Sequence, residues 1–195
     1  MSYLFINALK SMNCLAEKPL LTKIFVHSLE LETYYIMMTE QLPSQFTIRV
    51  YGLIINNRNE VLVTDEFQMD RKMTKFLGGG MQFGEGPIDC LKREMREECN
   101  QEIEGIEHFY TTDFYQRALF WEDYQLVCIY YLARLKGPAQ FRISTEAFDF
   151  PEMTNGSQSF RWVSEKLLNT GEFTFPIDKH VALLLKQYLS TLRKV

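Results

Sequence analysis

Residues 77–101 of this 195-residue chain read LGGGMQFGEGPIDCLKREMREECNQ, and this segment contains the strongest local signals in the sequence. Half of the ten glycines fall inside it, at positions 78, 79, 80, 84 and 86. Because glycine allows close backbone approaches that side chains obstruct, residues 78–86 are predicted to form a functional loop. Pro87 suits the first turn of a helix. That helix is predicted over 88–100, with an inward face made of Ile88, Leu91, Met95 and Cys99.

Three glutamates share one face of the predicted helix. Glu94, Glu97 and Glu98 are spaced i, i+3 and i+4, within about one turn. Like charges at these spacings repel, and Arg93 relieves only Glu97 at i+4, so a merely solvated acidic face is disfavoured. The adjacent glycine loop can bring backbone carbonyls beside the carboxylates, and such oxygens suit Mg²⁺ or Mn²⁺. The residues alone therefore predict metal-assisted hydrolysis of a phosphate or diphosphate.

The segments before this stretch are rich in strand-forming residues. Residues 46–55 and 60–64 are predicted to pair as a β-hairpin across a turn at 56–59. Residues 65–75 are polar and charged, so they are predicted to form a loop with a short strand at its end.

The segments after the stretch predict further strands and two helices. Strands are predicted over 106–114 and 126–135, the second one central because it is apolar on both faces. A long loop over 137–159 and a short strand over 160–163 follow. Ser164 is predicted to cap a brief helix that ends near Gly171. The last helix, over 178–193, is predicted to bury Val181, Leu184, Leu185, Tyr188 and Leu192.

The spacing within residues 79–101 resembles the Nudix box. Its fixed positions are matched here by Gly79, Glu85, Arg93, Glu94, apolar Met95, Glu97 and Glu98. Together with the order of the predicted elements, the resemblance implies an α+β fold, a Nudix-like α/β/α sandwich around a mixed β-sheet. The chain departs from the box at Asn100 and Gln101, where a glycine and an apolar residue are usual, and at Leu77, where a proline is usual. Asn100 can still adopt the left-handed conformation that ends a helix.

The resemblance also implies a role for each matching residue. Mg²⁺, or alternatively Mn²⁺, would be bound by Glu94, Glu97, Glu98 and the carbonyl of Gly78. Arg93 would orient the carboxylates by ion pairing, Glu85 would brace the loop or helix, and Gly79 would allow a tight turn. With a glutamate as base, a metal-activated water would attack a diphosphate bridge. The base is left open among the box glutamates and four later candidates, Glu122, Asp123, Glu146 and Glu152.

The substrate expected from the resemblance is a nucleoside diphosphate linked to another moiety, of the nucleotide or nucleotide-sugar class. The alternatives are a non-catalytic nucleotide-sensing module and a diphosphate isomerase of related fold. Two interpretations are open for Arg71, Lys72 and Lys75: they contact phosphates of the substrate, or they belong to an ordinary charged surface loop. Aromatic residues between positions 109 and 131 suit base stacking, core packing or the interface of a homodimer.

Composition narrows the class of protein and its surroundings. The formal net charge of −4 disfavours a basic protein held to nucleic acid by its phosphates. No apolar run approaches the ~18 residues of a membrane span, the N-terminus does not resemble a signal peptide, and a cytoplasmic location is expected. The three histidines are scattered and no two of the four cysteines form a CxxC pair, so a zinc site is not predicted.

Residues 1–36 are predicted to be separate from the hydrolase domain, which is expected over 45–195. Their three lysines and three glutamates balance, so the whole charge of −4 belongs to the remainder. A helix is predicted over 20–31. Two hypotheses stay open: an upstream extension before a native start at Met37 or Met38, or an arm that packs on the domain or on a partner subunit.

Overall fold

The computed structural model describes residues 42–169 and 171–192, so the predictions for residues 1–36 lie outside the described residues. Eight strands and two α-helices are formed in the described ranges. The strands are β1 (Gln45–Ile54), β2 (Glu60–Gln68), β3 (Arg71–Lys75), β4 (Leu77–Gly80), β5 (Ile103–Thr111), β6 (Tyr124–Leu135), β7 (Ile143–Ser144) and β8 (Ser157–Ser164). The helices are α1 (Pro87–Cys99) and α2 (Pro176–Leu192).

The strands form two four-stranded sheets, with the orders β4-β1-β6-β5 and β3-β2-β8-β7. In the first sheet β1 runs antiparallel to β4 and parallel to β6, so the sheet is mixed as predicted. Strand β6 lies between β1 and β5, which confirms its predicted central position. The α+β class and the sandwich of mixed sheets with helices are therefore confirmed, with two sheets in place of the single one expected.

The predicted hairpin between the first two strands is wrong. The chain does turn tightly there, since the Asn56 amide donates to the Glu60 carbonyl at 3.0 Å and Ile55 bridges to Val61. Beyond that bridge β1 and β2 part and join different sheets. A pattern of strand, turn, strand does not distinguish these two outcomes, because both satisfy the local turn.

The short strand predicted at the end of 65–75 is confirmed as β3, but the predicted loop before it is wrong, since β2 continues to Gln68 and pairs with β3 as an antiparallel hairpin. Met69 and Asp70 form its turn in left-handed backbone conformations. Some of the polar residues that suggested a loop are buried, among them Asp65. Its carboxylate accepts a hydrogen bond at 2.6 Å from Nε of Arg161, which lies on β8 of the same sheet. Burial of a charge is tolerated when it is paired and hydrogen-bonded in this way.

Helix α1 packs through its later turns. Its buried residues are Cys90, Leu91, Met95 and Cys99. Ile88 was predicted to face inward, but it lies in the first turn and is 41% exposed, so that prediction is wrong. Asn100 ends the helix with φ 49° and ψ 40°, as predicted for the residue that replaces the usual glycine.

Helix α2 packs in a core cluster that also contains residues of both sheets, among them Tyr130 and Val63. Val181 and Leu185 are buried as predicted, whereas Leu192 at the C-terminal end is exposed. Ser164 precedes a single 3₁₀ turn (Glu165–Leu167), but its side chain makes no capping hydrogen bond, contrary to prediction. Neither described helix is both long and apolar enough to cross a membrane.

Candidate active site

The glycine stretch forms the edge strand β4 and passes very close to its neighbours. Gly78 has a φ of +129°, and a Cβ there would lie 2.2 Å from the Val50 carbonyl oxygen. A Cβ on Gly79 would lie 2.5 Å from the Glu94 carboxylate. Gly79 was expected to provide the tight turn. In the structure it is Gly78 that has the positive φ. Gly79 has no side chain, and the Glu94 carboxylate occupies the space that a Cβ would need there.

Arg93 is the centre of the first of two ionic groups, the Arg93 cluster, with Glu85, Glu94, Glu97 and the Gly80 carbonyl. Its Nη1 donates to Glu94 Oε1 at 2.8 Å and to Glu97 Oε2 at 2.9 Å. Its Nη2 donates to Glu85 Oε1 at 2.7 Å and to the Gly80 carbonyl at 3.0 Å. The Arg93 hydrogen bonds lower the pKa of Glu85 to about 2. Arg93 thus forms ion pairs with the carboxylates of Glu85, Glu94 and Glu97, whereas the roles that the resemblance implies for Arg93 and Glu85 stay predictions.

Lys75 is the centre of the second ionic group, the Lys75 cluster, with Glu66, Glu98 and Gly78. Its Nζ lies 3.0 Å from Glu66 Oε1, 3.2 Å from Glu98 Oε1 and 3.0 Å from the Gly78 carbonyl oxygen. The Gly78 amide donates to Glu98 Oε2 at 3.1 Å. Lys75 is only 6% exposed, so the interpretation as a surface charge is wrong. Burial raises the pKa of Glu98, although the Lys75 ammonium opposes that rise.

A chain of contacts between buried side chains leads from Lys75 through Tyr51 and Tyr130 to Asp178. The Tyr51 ring stacks on Tyr130 with centroids 5.3 Å apart, and the Tyr130 hydroxyl donates to Asp178 Oδ1 at 2.7 Å. Two cations lie over the Tyr51 ring, Arg49 at 5.6 Å and Lys75 at 5.9 Å from its centroid. Burial raises the pKa of Tyr51 to about 12 and that of Asp178 to about 6.

Sequence reasoning missed Arg49, Tyr51, Glu66 and Asp178 as neighbours of the box. Strand alternation was an available signal for the first two, because residues i and i+2 of a strand share a face. For Glu66 and Asp178 the sequence carries no local signal, since they come from the second sheet and from α2.

The oxygen donors expected for a metal ion lie on neighbouring elements. Their chemistry fits a hard divalent cation, because all are carboxylates or a carbonyl and the gap over Gly79 admits one carboxylate. Within residues 42–169 and 171–192, however, no three acidic, histidine or cysteine side chains converge closely enough to hold a metal. Glu98 is engaged by Lys75, whereas Glu94 and Glu97 are engaged by Arg93. Metal binding would therefore require exchange of these ion pairs.

The other sequence candidates lie in different surroundings. Asp123 accepts hydrogen bonds from the side chains of Ser44 and Gln45, at 2.9 and 3.0 Å, and so holds the start of β1. The remaining base candidates, Glu122, Glu146 and Glu152, are exposed. The two candidate phosphate contacts on β3, Arg71 and Lys72, are exposed. Two of the aromatic candidates, Tyr115 and Trp121, are exposed as well.

A sequence model of the NUDIX domain matches residues 45–184. The chain belongs to the Nudix family. One relative of this Nudix protein is an RNA pyrophosphohydrolase from Francisella tularensis subsp. mediasiatica, 28% identical over 130 residues, or 62% of this chain and 79% of the relative.

Solved structures of Nudix proteins share the fold. A MutT structure, from work on the Aliivibrio salmonicida and Vibrio cholerae proteins, superposes with a TM-score of 0.54 at 19% identity, covering 74% of this chain and 99% of its own. A NUDIX hydrolase from Nitrosomonas europaea gives a TM-score of 0.54 at 12% identity, covering 74% and 90%. At such identities the likeness concerns the fold.

Proposed function

We propose that this Nudix protein is a metal-dependent pyrophosphohydrolase that cleaves a diphosphate bond in a nucleoside diphosphate linked to another moiety. The observation that carries the proposal is the Glu94 carboxylate in the gap over Gly79, held by Arg93, which also pairs with Glu97. The similarity to an RNA pyrophosphohydrolase supports the reaction class. We assign the activity to a domain over residues 45–195, in the cytoplasm, with residues 1–36 as a separate segment.

The proposed metal ligands are Glu94, Glu97, Glu98 and the carbonyl of Gly78. A divalent cation there, Mg²⁺ or Mn²⁺, would supply an activated water and neutralise charge on the diphosphate. Arg93 keeps two of the carboxylates on one side of α1 and fixes the loop through Glu85 and Gly80. Preorganisation of this kind lowers the barrier by positioning and by electrostatic stabilisation.

The test is a panel of substrates incubated with the full chain and Mg²⁺. It comprises nucleoside triphosphates, ADP-ribose, dinucleotides, nucleotide sugars and an RNA with a 5′-triphosphate. We expect release of phosphate, pyrophosphate or a nucleoside monophosphate from at least one small nucleotide, and loss of that release with a chelator. If only the RNA is hydrolysed, the proposed small-molecule substrate is wrong and the substrate is a nucleic acid.

The variant Glu98→Gln should abolish this hydrolysis while the far-ultraviolet circular dichroism is unchanged. The matched control is Glu102→Gln, which removes the same charge from an exposed carboxylate paired with Lys136 outside the box. Near-normal turnover by Glu98→Gln would exclude Glu98 from the mechanism. Tight nucleotide binding without turnover of any member of the panel would favour the sensing module.

A further inference from the structure

Arg49 on β1 differs from the other cations of the site. Its Nε donates to the Tyr51 hydroxyl at 2.6 Å, and the side chain is half-buried. Lys75 and Arg93 are each paired with two or more carboxylates. In the described part of the chain, by contrast, no carboxylate forms an ion pair with Arg49. Its charge is stabilised by the Tyr51 hydroxyl and, at longer range, by Glu94, so an anion that binds directly beside this partly desolvated guanidinium would be favoured.

The position of Arg49 leaves its guanidinium open toward the glycine loop. Arg49 pairs directly with Gly80 in the antiparallel β1–β4 ladder. Directly opposed residues project from the same face of a sheet, so any side chain at position 80 would stand next to Arg49. Gly80 has none, and a Cβ built there would lie 4.0 Å from Arg49 Nη1. The space beside the guanidinium is thus kept clear at the loop that carries the box.

Tyr51 holds the guanidinium in place. Its hydroxyl accepts a hydrogen bond from Nε, so this bond does not use the N–H groups of the two terminal nitrogens, and the Tyr51 ring stacks on Tyr130. Tyr130 is anchored in turn by its hydrogen bond to Asp178. A planar, oriented guanidinium is suited to phosphate, because two parallel N–H groups match two phosphate oxygens.

We propose that Arg49 binds a phosphate oxyanion of the diphosphate substrate, and that Tyr51 is its positioning residue. This rests on the proposed function for the identity of the substrate. The charge of Arg49 and its access to the loop do not depend on turnover, so binding can be tested separately from hydrolysis.

The test is a calorimetric titration with methylenediphosphonate, a diphosphate analogue with an uncleavable carbon bridge, in the presence of Mg²⁺. The variant Arg49→Gln should bind the analogue about tenfold more weakly than the parent chain. Arg49→Lys, which keeps the charge but loses the planar fork, should give an intermediate loss. The matched control Arg142→Gln removes the same charge from an exposed side chain paired with Asp149, and should bind like the parent.

Tyr51→Phe tests positioning, because it removes the hydroxyl and keeps the stacking ring. We expect about threefold weaker binding of the analogue with an unchanged melting temperature. A lower melting temperature with unchanged affinity would mark Tyr51 as structural and overturn its positioning role.

Equal affinity of the parent chain, Arg49→Gln and Arg49→Lys would overturn the phosphate site, as would absence of binding to the parent chain. If Arg49→Gln does not fold, Arg49→Lys decides alone, and unchanged affinity overturns the proposal. Once a substrate is identified, Arg49→Gln should raise KM much more than it lowers kcat. Weakened analogue binding without any hydrolysis by the parent chain would reject the proposed function and retain the anion site.

Discussion

The Arg93 cluster and the Lys75 cluster hold the same glycine strand by different means. Each cation donates to a carbonyl of β4, Arg93 to Gly80 and Lys75 to Gly78, and each pairs with glutamates of the box. All partners of Arg93 lie within the box segment, but Lys75 also reaches Glu66 on the second sheet. The Arg93 cluster is therefore local and partly exposed, whereas the Lys75 cluster is buried and ties the loop to the rest of the domain.

The largest effect is expected from Lys75→Met. This change leaves Glu66 and Glu98 without their shared cation in a mostly buried place, and we expect a loss of about 3 kcal/mol in the free energy of unfolding. Urea denaturation measures it. The control is Lys136→Met, in an exposed pair with Glu102, where a much smaller loss is expected because solvent screens the pair. Equal effects of the two variants would show that the Lys75 cluster has no special importance for the fold.

Gly79→Ala should have the next largest effect. The new methyl group would meet the Glu94 carboxylate at 2.5 Å, so Glu94 must leave its place beside Arg93. We expect about 2 kcal/mol of destabilisation from this overpacking, measured by thermal and urea unfolding. Gly80→Ala is the comparison, because its methyl group meets nothing closer than 4.0 Å. If both variants have the parent's stability, the gap over Gly79 is not tightly filled.

Arg93→Lys should lower the free energy of unfolding by less than Lys75→Met does. The charge remains, but one ammonium cannot reproduce bonds to Glu85, Glu94, Glu97 and a backbone carbonyl, so about 1 kcal/mol of destabilisation is expected. The control Arg58→Lys changes an exposed arginine in a turn and should be neutral in the same unfolding assay. A loss larger than that of Lys75→Met would reverse the ranking of the two clusters.

Glu97→Gln should give the smallest change in stability. Its side chain is 59% exposed, and its pair with Arg93 is a surface i, i+4 pair. We expect about 0.5 kcal/mol, falling further in high salt because the pair is screened. A differential scanning experiment at low and high salt measures both. A larger loss that does not respond to salt would place Glu97 among the buried partners of the site.

The same division between local and long-range contacts separates the features that could be predicted from sequence from those that could not. The helix, its Asn100 ending and the ion pair from Arg93 to Glu97 depend on spacing along one element, and the sequence predicted them. The split of β1 and β2 between sheets and the burial of Lys75 depend on partners that are distant in sequence. Periodicity contains no information about such partners, so these features could not be predicted.

The position of β4 at the edge of its sheet has a consequence for self-association. An edge strand offers unpaired backbone groups to any other strand, and three consecutive glycines provide no side chains to block one. On the outer side of β4 the Gly78 amide is taken by Glu98, and the carbonyls of Gly78 and Gly80 are taken by Lys75 and Arg93. The charged side chains of the site thus also close this edge against the addition of a foreign strand, and chains that lack them should aggregate more readily.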